Sequence, residues 1–164
     1  MLSSQDLREM ESLNNSDISL KDFWPIMKEV IESGGEFAFY PHGTSMLPLI
    51  RQGKDQVVLV QPHDIKVGDA VFYQRDNGQF VLHRIVKKSK GQYVMCGDNQ
   101  YDLEYGITDK HILAKMKAVI RDGVSVDETI PEYRKYVKKL SFKRFKMRTR
   151  IFLSKIKRKI IKQK

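Results

Sequence analysis

Ala70-Val71-Phe72-Tyr73-Gln74-Arg75-Asp76-Asn77-Gly78-Gln79-Phe80-Val81-Leu82-His83-Arg84-Ile85-Val86 consists of two β-rich runs on either side of an Asn-Gly step. Asn-Gly between two such runs predicts a hairpin, Ala70 to Arg75 against Gln79 to Val86. The same texture extends outward on both sides. Gln56-Val57-Val58-Leu59-Val60 is a β-branched run, and Glu36-Phe37-Ala38-Phe39-Tyr40 alternates until Pro41 stops it. Gly91 to Cys96 reads as a further strand, and Ile112 to Arg121 as the closing strand, ended by Asp122-Gly123. Frequent short strands with few helices predict a mainly β chain built as a small, coiled, antiparallel β-domain.

Helical spacing is confined to the ends. Leu7, Met10 and Leu13 mark a helix within 3–14, broken by Asn14-Asn15-Ser16-Asp17. A second helix is expected over 20–33, with Ser19 and Asp22 in capping-box spacing and Phe23, Met27, Val30 and Ile31 on one face. Pro25 limits or kinks its start and Gly34-Gly35 ends it. The division that follows is an N-terminal helical segment over 1–35, the β-domain over 36–123, and a connector with a basic C-terminal helix over 124–164. Pro131 is the expected opener of that last helix.

The net charge of +10 is unevenly placed. Residues 138–164 hold 13 Lys or Arg and no acid, which leaves 17 bases against 20 acids elsewhere. The basicity is therefore an appendage with its own partner. Tyr133, Tyr136, Leu140, Met147 and Ile151 form one apolar stripe; Phe142, Phe145, Phe152, Leu153, Ile156 and Ile160 form another. One stripe can dock on protein while the other meets an anionic membrane surface; RNA or another nucleic acid is the rival partner for the charge. No run reaches the roughly 18 apolar residues that span a bilayer, and Met1-Leu2-Ser3-Ser4-Gln5-Asp6 lacks a secretory signal. A cytoplasmic protein is expected, peripheral at the inner face of the membrane if the tail binds lipid. The single cysteine, Cys96, excludes an internal disulfide and fits a reducing compartment.

Ser45 lies in Gly43-Thr44-Ser45-Met46-Leu47-Pro48, just past a strand end, where its hydroxyl and amide are free to face a ligand. Taken alone it reads as a turn serine. Val81-Leu82-His83-Arg84-Ile85 and Gly97-Asp98-Asn99 add a histidine and an acid, so that the chain carries a nucleophile, a base and an orienting group. A neutral imidazole accepts a serine proton near pH 7 and returns it to the leaving amine, as amide hydrolysis requires. His83 shares a strand face with Val81 and Ile85, and by itself would read as a satisfied core or surface histidine.

Gly-x-Ser-Met-x-Pro, then Gly68-Asp69 before the apolar Ala70-Val71-Phe72, then His83-Arg84-Ile85, then Gly97-Asp98-Asn99 occur in this order within residues 36–120. As an ordered set they resemble the signal peptidase I and LexA-like serine peptidase superfamily. Bacterial signal peptidases carry a lysine base followed by Arg-Val. The matching slot here holds His83 followed by Arg84-Ile85, similar to the endoplasmic-reticulum and archaeal branch that uses Ser-His-Asp. Lys87 and Lys88, rival bases, lie four and five residues past that slot.

The resemblance implies a serine endopeptidase that cleaves an extended segment of a peptide or protein precursor, with Ser45, His83 and Asp98 as its catalytic set. Asp98 would either orient His83 or hold the loop that does so. In eukaryotic relatives a second acid beyond Gly-Asp-Asn completes the triad, and its approximate counterparts are Asp102 and Glu104. The Ser45 amide would serve the oxyanion hole. Many bacterial relatives add a serine two positions before the nucleophile; Gly43 stands there, so Thr44 is the remaining side-chain donor.

Phe37, Phe39 and Tyr40 would line the peptide as an edge strand, with Met46 beside them; the alternative for these aromatics is core packing. No cofactor is implied, and His42, His63 and His111 have no metal-ligand spacing with Cys96. Two other functions fit parts of the chain: a LexA-like self-cleaving regulator, and a non-catalytic scaffold that binds lipid or nucleic acid through its tail.

Overall fold

Three glycine turns set the registers in the computed structural model, which describes residues 20–140, 142–144 and 146. The strands are β1 (Phe37–Phe39), β2 (Gln56–Val60), β3 (Ala70–Gln74), β4 (Phe80–Ser89), β5 (Gln92–Cys96), β6 (Glu104–Thr108), β7 (Ile112–Arg121) and β8 (Val124–Asp127). Between β3 and β4 the loop is Asp76-Asn77-Gly78. The Gly78 amide donates to Arg75 O at 2.8 Å, the Arg75 amide to Gln79 O at 2.9 Å, and Gly78 has φ 83°. Glycine takes that left-handed conformation without strain. Lys90-Gly91 (φ 48° and 70°) and Asp122-Gly123 (φ 49° and 80°) are two-residue turns, joining β4 to β5 and β7 to β8. Positive φ at both central residues matches the right-handed twist of the strands they connect.

All pairings are antiparallel, in the order β1-β2-β7-β3-β4-β5-β6, with β8 also on β7. The domain is thus mainly antiparallel β, as expected. Ile112–Arg121 matches its expected bounds, but it is a central strand and does not close the sheet. One edge meets β2; the other meets β3 through its first half and β8 through its second. Register shifts at Val58/Leu59, Phe72/Tyr73, Ile85/Lys87 and Tyr93/Met95 bend the sheet.

Both faces are covered. On one, Trp24, Phe39 and Phe80 surround Phe72, with ring centroids 5.5–6.0 Å away from it. Burying a ring such as Phe72 stabilises by about 2–3 kcal/mol. On the other, Val71, Tyr73, Ile85, Tyr93, Met95 and Ile107 form the core. Helix α1 (Leu20–Glu32) buries Met27 and Ile31 and carries Pro25 inside it. Gly34, at φ 84°, ends it, and the Gly34 and Gly35 amides donate to Ile31 O and Val30 O.

The chain divides into two units after Asp127. The expected boundary at 123 is too early, because Asp122-Gly123 is a hairpin turn and adds β8 to the sheet. In the second unit a helix over 131–140 begins at Pro131. Tyr133 and Leu140 are buried, whereas Phe142, from the other apolar stripe, is 68 % exposed. No helix among the described residues is long and apolar enough to cross a membrane. The helix expected within 3–14, the Ser19 cap, Phe145 and the tail after residue 146 lie outside the described residues.

Candidate active site

Pro41 releases the chain from β1 into a run of turns that carries Ser45. The Leu47 amide donates to Thr44 O at 3.2 Å and the Ile50 amide to Met46 O at 3.0 Å, while Gly43, at φ 99°, is tied by its amide to Gln52 Oε1 at 3.0 Å. Arg121 on β7 holds the far side of these turns by donating to Pro48 O (2.9 Å) and Leu49 O (2.6 Å). Arg121 and Arg51 share Asp55, which is fully buried. Burial raises the Asp55 carboxyl, but the two guanidinium groups outweigh it and set its pKa at about 2.

The Gly97-Asp98-Asn99 loop clamps the Ser45 turn from its other side. The Asn99 amide donates to Ser45 O at 2.8 Å, and Asn99 Nδ2 donates to Thr44 O at 3.2 Å. Gly97 lies so close that an added Cβ would sit 2.7 Å from Ser45 O. Asp98 accepts both arms of Arg84, Nε at 2.8 Å and Nη2 at 2.6 Å, with both side chains buried. Arg84 also donates to Gly68 O at 2.7 Å, and the Ile85 amide donates to Asp69 O at 2.8 Å. The four sequence blocks therefore form one connected network. Of the two roles weighed for Asp98, this geometry fits holding the loop.

Ser45 and His83 line the same open cavity, of about 280 Å³, together with Met46, Ile50, Phe80 and Leu82. Among the described residues neither the Ser45 hydroxyl nor its amide has a hydrogen-bond partner. Thr44 is exposed beside it. A shallower depression of about 690 Å³ shares His83, Arg75 and Gln100 with the first and extends to Tyr101, Asp102 and Glu104.

His83, 6 % exposed, stands opposite Val71 on β3, so its same-face diagonal neighbour is Tyr73. Tyr73 Oη lies 3.2 Å from His83 Nδ1 and donates to Glu104 Oε2 at 2.7 Å. Glu104 Oε2 is itself 3.8 Å from His83 Nδ1. Arg75 grips both Glu104 oxygens at 2.6 Å. That fork holds the Glu104 carboxyl below its ordinary range despite partial burial. Burial, then the bond to Glu104, pushes the Tyr73 phenol far up, so it stays protonated.

Of the two other acids considered, Glu104 thus meets the His83 assembly and Asp102 is exposed in the shallower depression. Tyr73 and Arg75 were absent from the sequence-derived set. Their signal was the hairpin register, which a three-residue loop sets. Phe37 and Phe39 are buried, 9 % and 8 % exposed, and belong to the core rather than to a peptide-lining face, because strand alternation turns both inward. Tyr40 is half-buried and Met46 is a buried wall of the cavity. Lys87 and Lys88 are exposed toward the other end of β4, and Lys88 Nζ donates to Ile65 O at 2.7 Å. Comparison with known proteins adds no family: no family model and no curated protein matches the chain.

Proposed function

We propose that the chain is a serine endopeptidase of the signal-peptidase and LexA-like kind, acting on an extended segment of a peptide or protein precursor. The observation that carries this reading is the meeting of Ser45 and His83, distant in sequence, at one open cavity. Two further features support it. The Ser45 turn is fixed by backbone and side-chain bonds that leave its own hydroxyl and amide unspent, and Gly97 allows the clamp to approach at van der Waals contact.

In the reaction, His83 Nε2 takes the Ser45 proton as Oγ attacks the scissile carbonyl carbon. The Ser45 amide faces the developing oxyanion. The C–N bond then breaks, the leaving amine receives the proton from Nε2, and an acyl group remains on Ser45. Water then attacks the acyl carbon as the same imidazole takes its proton; the ester bond to Oγ breaks, Oγ recovers a proton from Nε2, and the acid leaves.

Active-site labelling with a fluorophosphonate and turnover of a fluorogenic peptide library test the reading. Ser45→Ala and His83→Ala should each abolish turnover, and the double variant should be no worse, because the pair acts as a unit. Turnover should rise through roughly pH 6–7 as an imidazole base deprotonates. Lys87→Ala and Lys88→Ala should leave it unchanged. Wild-type protein with neither label nor turnover, or a limb near pH 9 that Lys87→Ala or Lys88→Ala removes, would overturn the proposal.

A further inference from the structure

We propose that the acid supporting His83 is Glu104, acting one step removed through the Tyr73 hydroxyl, so that Tyr73, Glu104 and Arg75 are positioning residues for the base. The inference rests on the Ser45–His83 reading for its consequence, but its geometry can be tested without it.

The argument is one of donors and acceptors. The phenol has a single proton. Glu104, doubly bound by Arg75 at 2.6 Å, is a carboxylate that can only accept, so the phenol proton points to it across 2.7 Å. The phenol oxygen then presents only lone pairs to His83 Nδ1 at 3.2 Å. An unprotonated Nδ1 there would face another acceptor; a protonated Nδ1 satisfies both atoms. The chain Arg75–Glu104–Tyr73–His83 therefore selects the Nδ1–H tautomer and leaves the lone pair on Nε2, the nitrogen needed as a base.

When Nε2 takes the Ser45 proton, the ring becomes a cation whose Nδ1 is 3.8 Å from Glu104 Oε2. The carboxylate stabilises that cation, while the Nδ1 and phenol protons stay where they are. The ring is held as the acid of a triad would hold it, with a neutral hydroxyl between. Beyond the relay, His42 lines the cavity with His83, and Tyr101 and Asp102 line the adjoining depression with it.

Tyr73→Phe and Glu104→Gln are the variants, each nearly isosteric, assayed in the full chain by peptide turnover, thermal melting and ¹⁵N NMR of His83. Neutral His83 in the wild type should show a protonated Nδ1, and Tyr73→Phe should turn it into a mixture of tautomers. Each variant should lower kcat by about 10²-fold with little change in KM. The double variant should be no worse than the weaker single, since the two groups act in series. Glu104→Gln should also move the acid limb of the profile to lower pH, because Arg75 then faces the imidazolium uncompensated.

A wild-type His83 protonated at Nε2 would overturn the inference. So would retained turnover in both variants, effects that multiply in the double variant, or lowered melting without a change in tautomer or limb. If wild-type protein neither turns over peptides nor takes the serine label, the peptidase reading fails separately, and the tautomer spectra still decide the relay.

Discussion

Replacing Asp98 by Ala should unlatch the candidate site by a route that can be measured as stability. Arg84 and Asp98 have side chains 1 % and 0 % exposed, joined by bonds of 2.8 and 2.6 Å. Deleting the acid leaves the buried guanidinium without the carboxylate that takes both its Nε and Nη2 bonds, and breaking a buried pair in this way costs about 3–5 kcal/mol. The unit containing it spans Met1–Asp127. For a unit of that size the entropy of unfolding converts this to a fall in Tm of about 10–20 °C. Differential scanning calorimetry or a circular-dichroism melt reads it directly. Below the melting transition, turnover should also fall, because the Asn99 bonds to Ser45 O and Thr44 O depend on the loop that Asp98 holds. Replacing both partners, Arg84→Met with Asp98→Leu, should recover most of the stability, since no buried charge is left over. A Tm within about 3 °C of wild type for Asp98→Ala would refute the latch. If that unshifted Tm came with loss of turnover as complete as in His83→Ala, Asp98 would be the partner of the imidazole instead.

Gly97→Ala should cost at least 10-fold in turnover with a lowered Tm, because the new methyl would lie 2.7 Å from Ser45 O and must push the nucleophile turn away; a variant of wild-type activity would mean the turn is not held by that contact. Acid should weaken the fold through Asp55: its folded pKa of about 2 lies below the ordinary 3.8, so its contribution is complete above about pH 4 and lost as pH falls through 2. Urea unfolding at pH 5, 3.5 and 2.5 reads this, and Asp55→Asn should flatten the dependence; an unchanged slope would dismiss Asp55 as a source. Full-length protein should co-sediment with anionic vesicles at low salt through the 13 bases of 138–164. Phe145→Ser with Phe152→Ser should weaken that binding at unchanged charge, and indifference to vesicles would end the reading of the tail as a membrane-binding segment.

Local chemistry made much of the fold legible. Gln56–Val60 and Ile112–Arg121 are bounded by their own β-branched composition, and helix α1 by its apolar face and Gly34-Gly35. β6 is not legible in the sequence, because Glu104-Tyr105-Gly106-Ile107-Thr108 is an edge strand with one buried residue and an internal glycine. Nor is β8, since four residues carry too little alternation to mark a strand beyond the Asp122-Gly123 turn. Alternation placed Phe37 and Phe39 on one face but could not say that this face is the inside, since that depends on what packs there.

The candidate site divides in the same way. Ser45, His83 and Glu104 were among the residues singled out from sequence, because a serine after a strand end, a histidine in the matching slot and acids after Gly-Asp-Asn are local patterns. Which acid serves which base is not local. Asp98, in the loop after β5, is claimed by Arg84 of the adjacent strand, and Glu104 by Arg75 and Tyr73, while Tyr73 shares a face with His83 because the Asp76-Asn77-Gly78 loop is three residues long. A two-residue loop would shift the register by one, send Tyr73 to the opposite face relative to His83, and break the chain of donors. Sequence alone determined most of the elements, the Asn-Gly hairpin and the reactive residue types, since these are set by short-range sterics and propensity. The tertiary structure decided the pairings, because buried charges choose partners by distances that only the folded sheet defines.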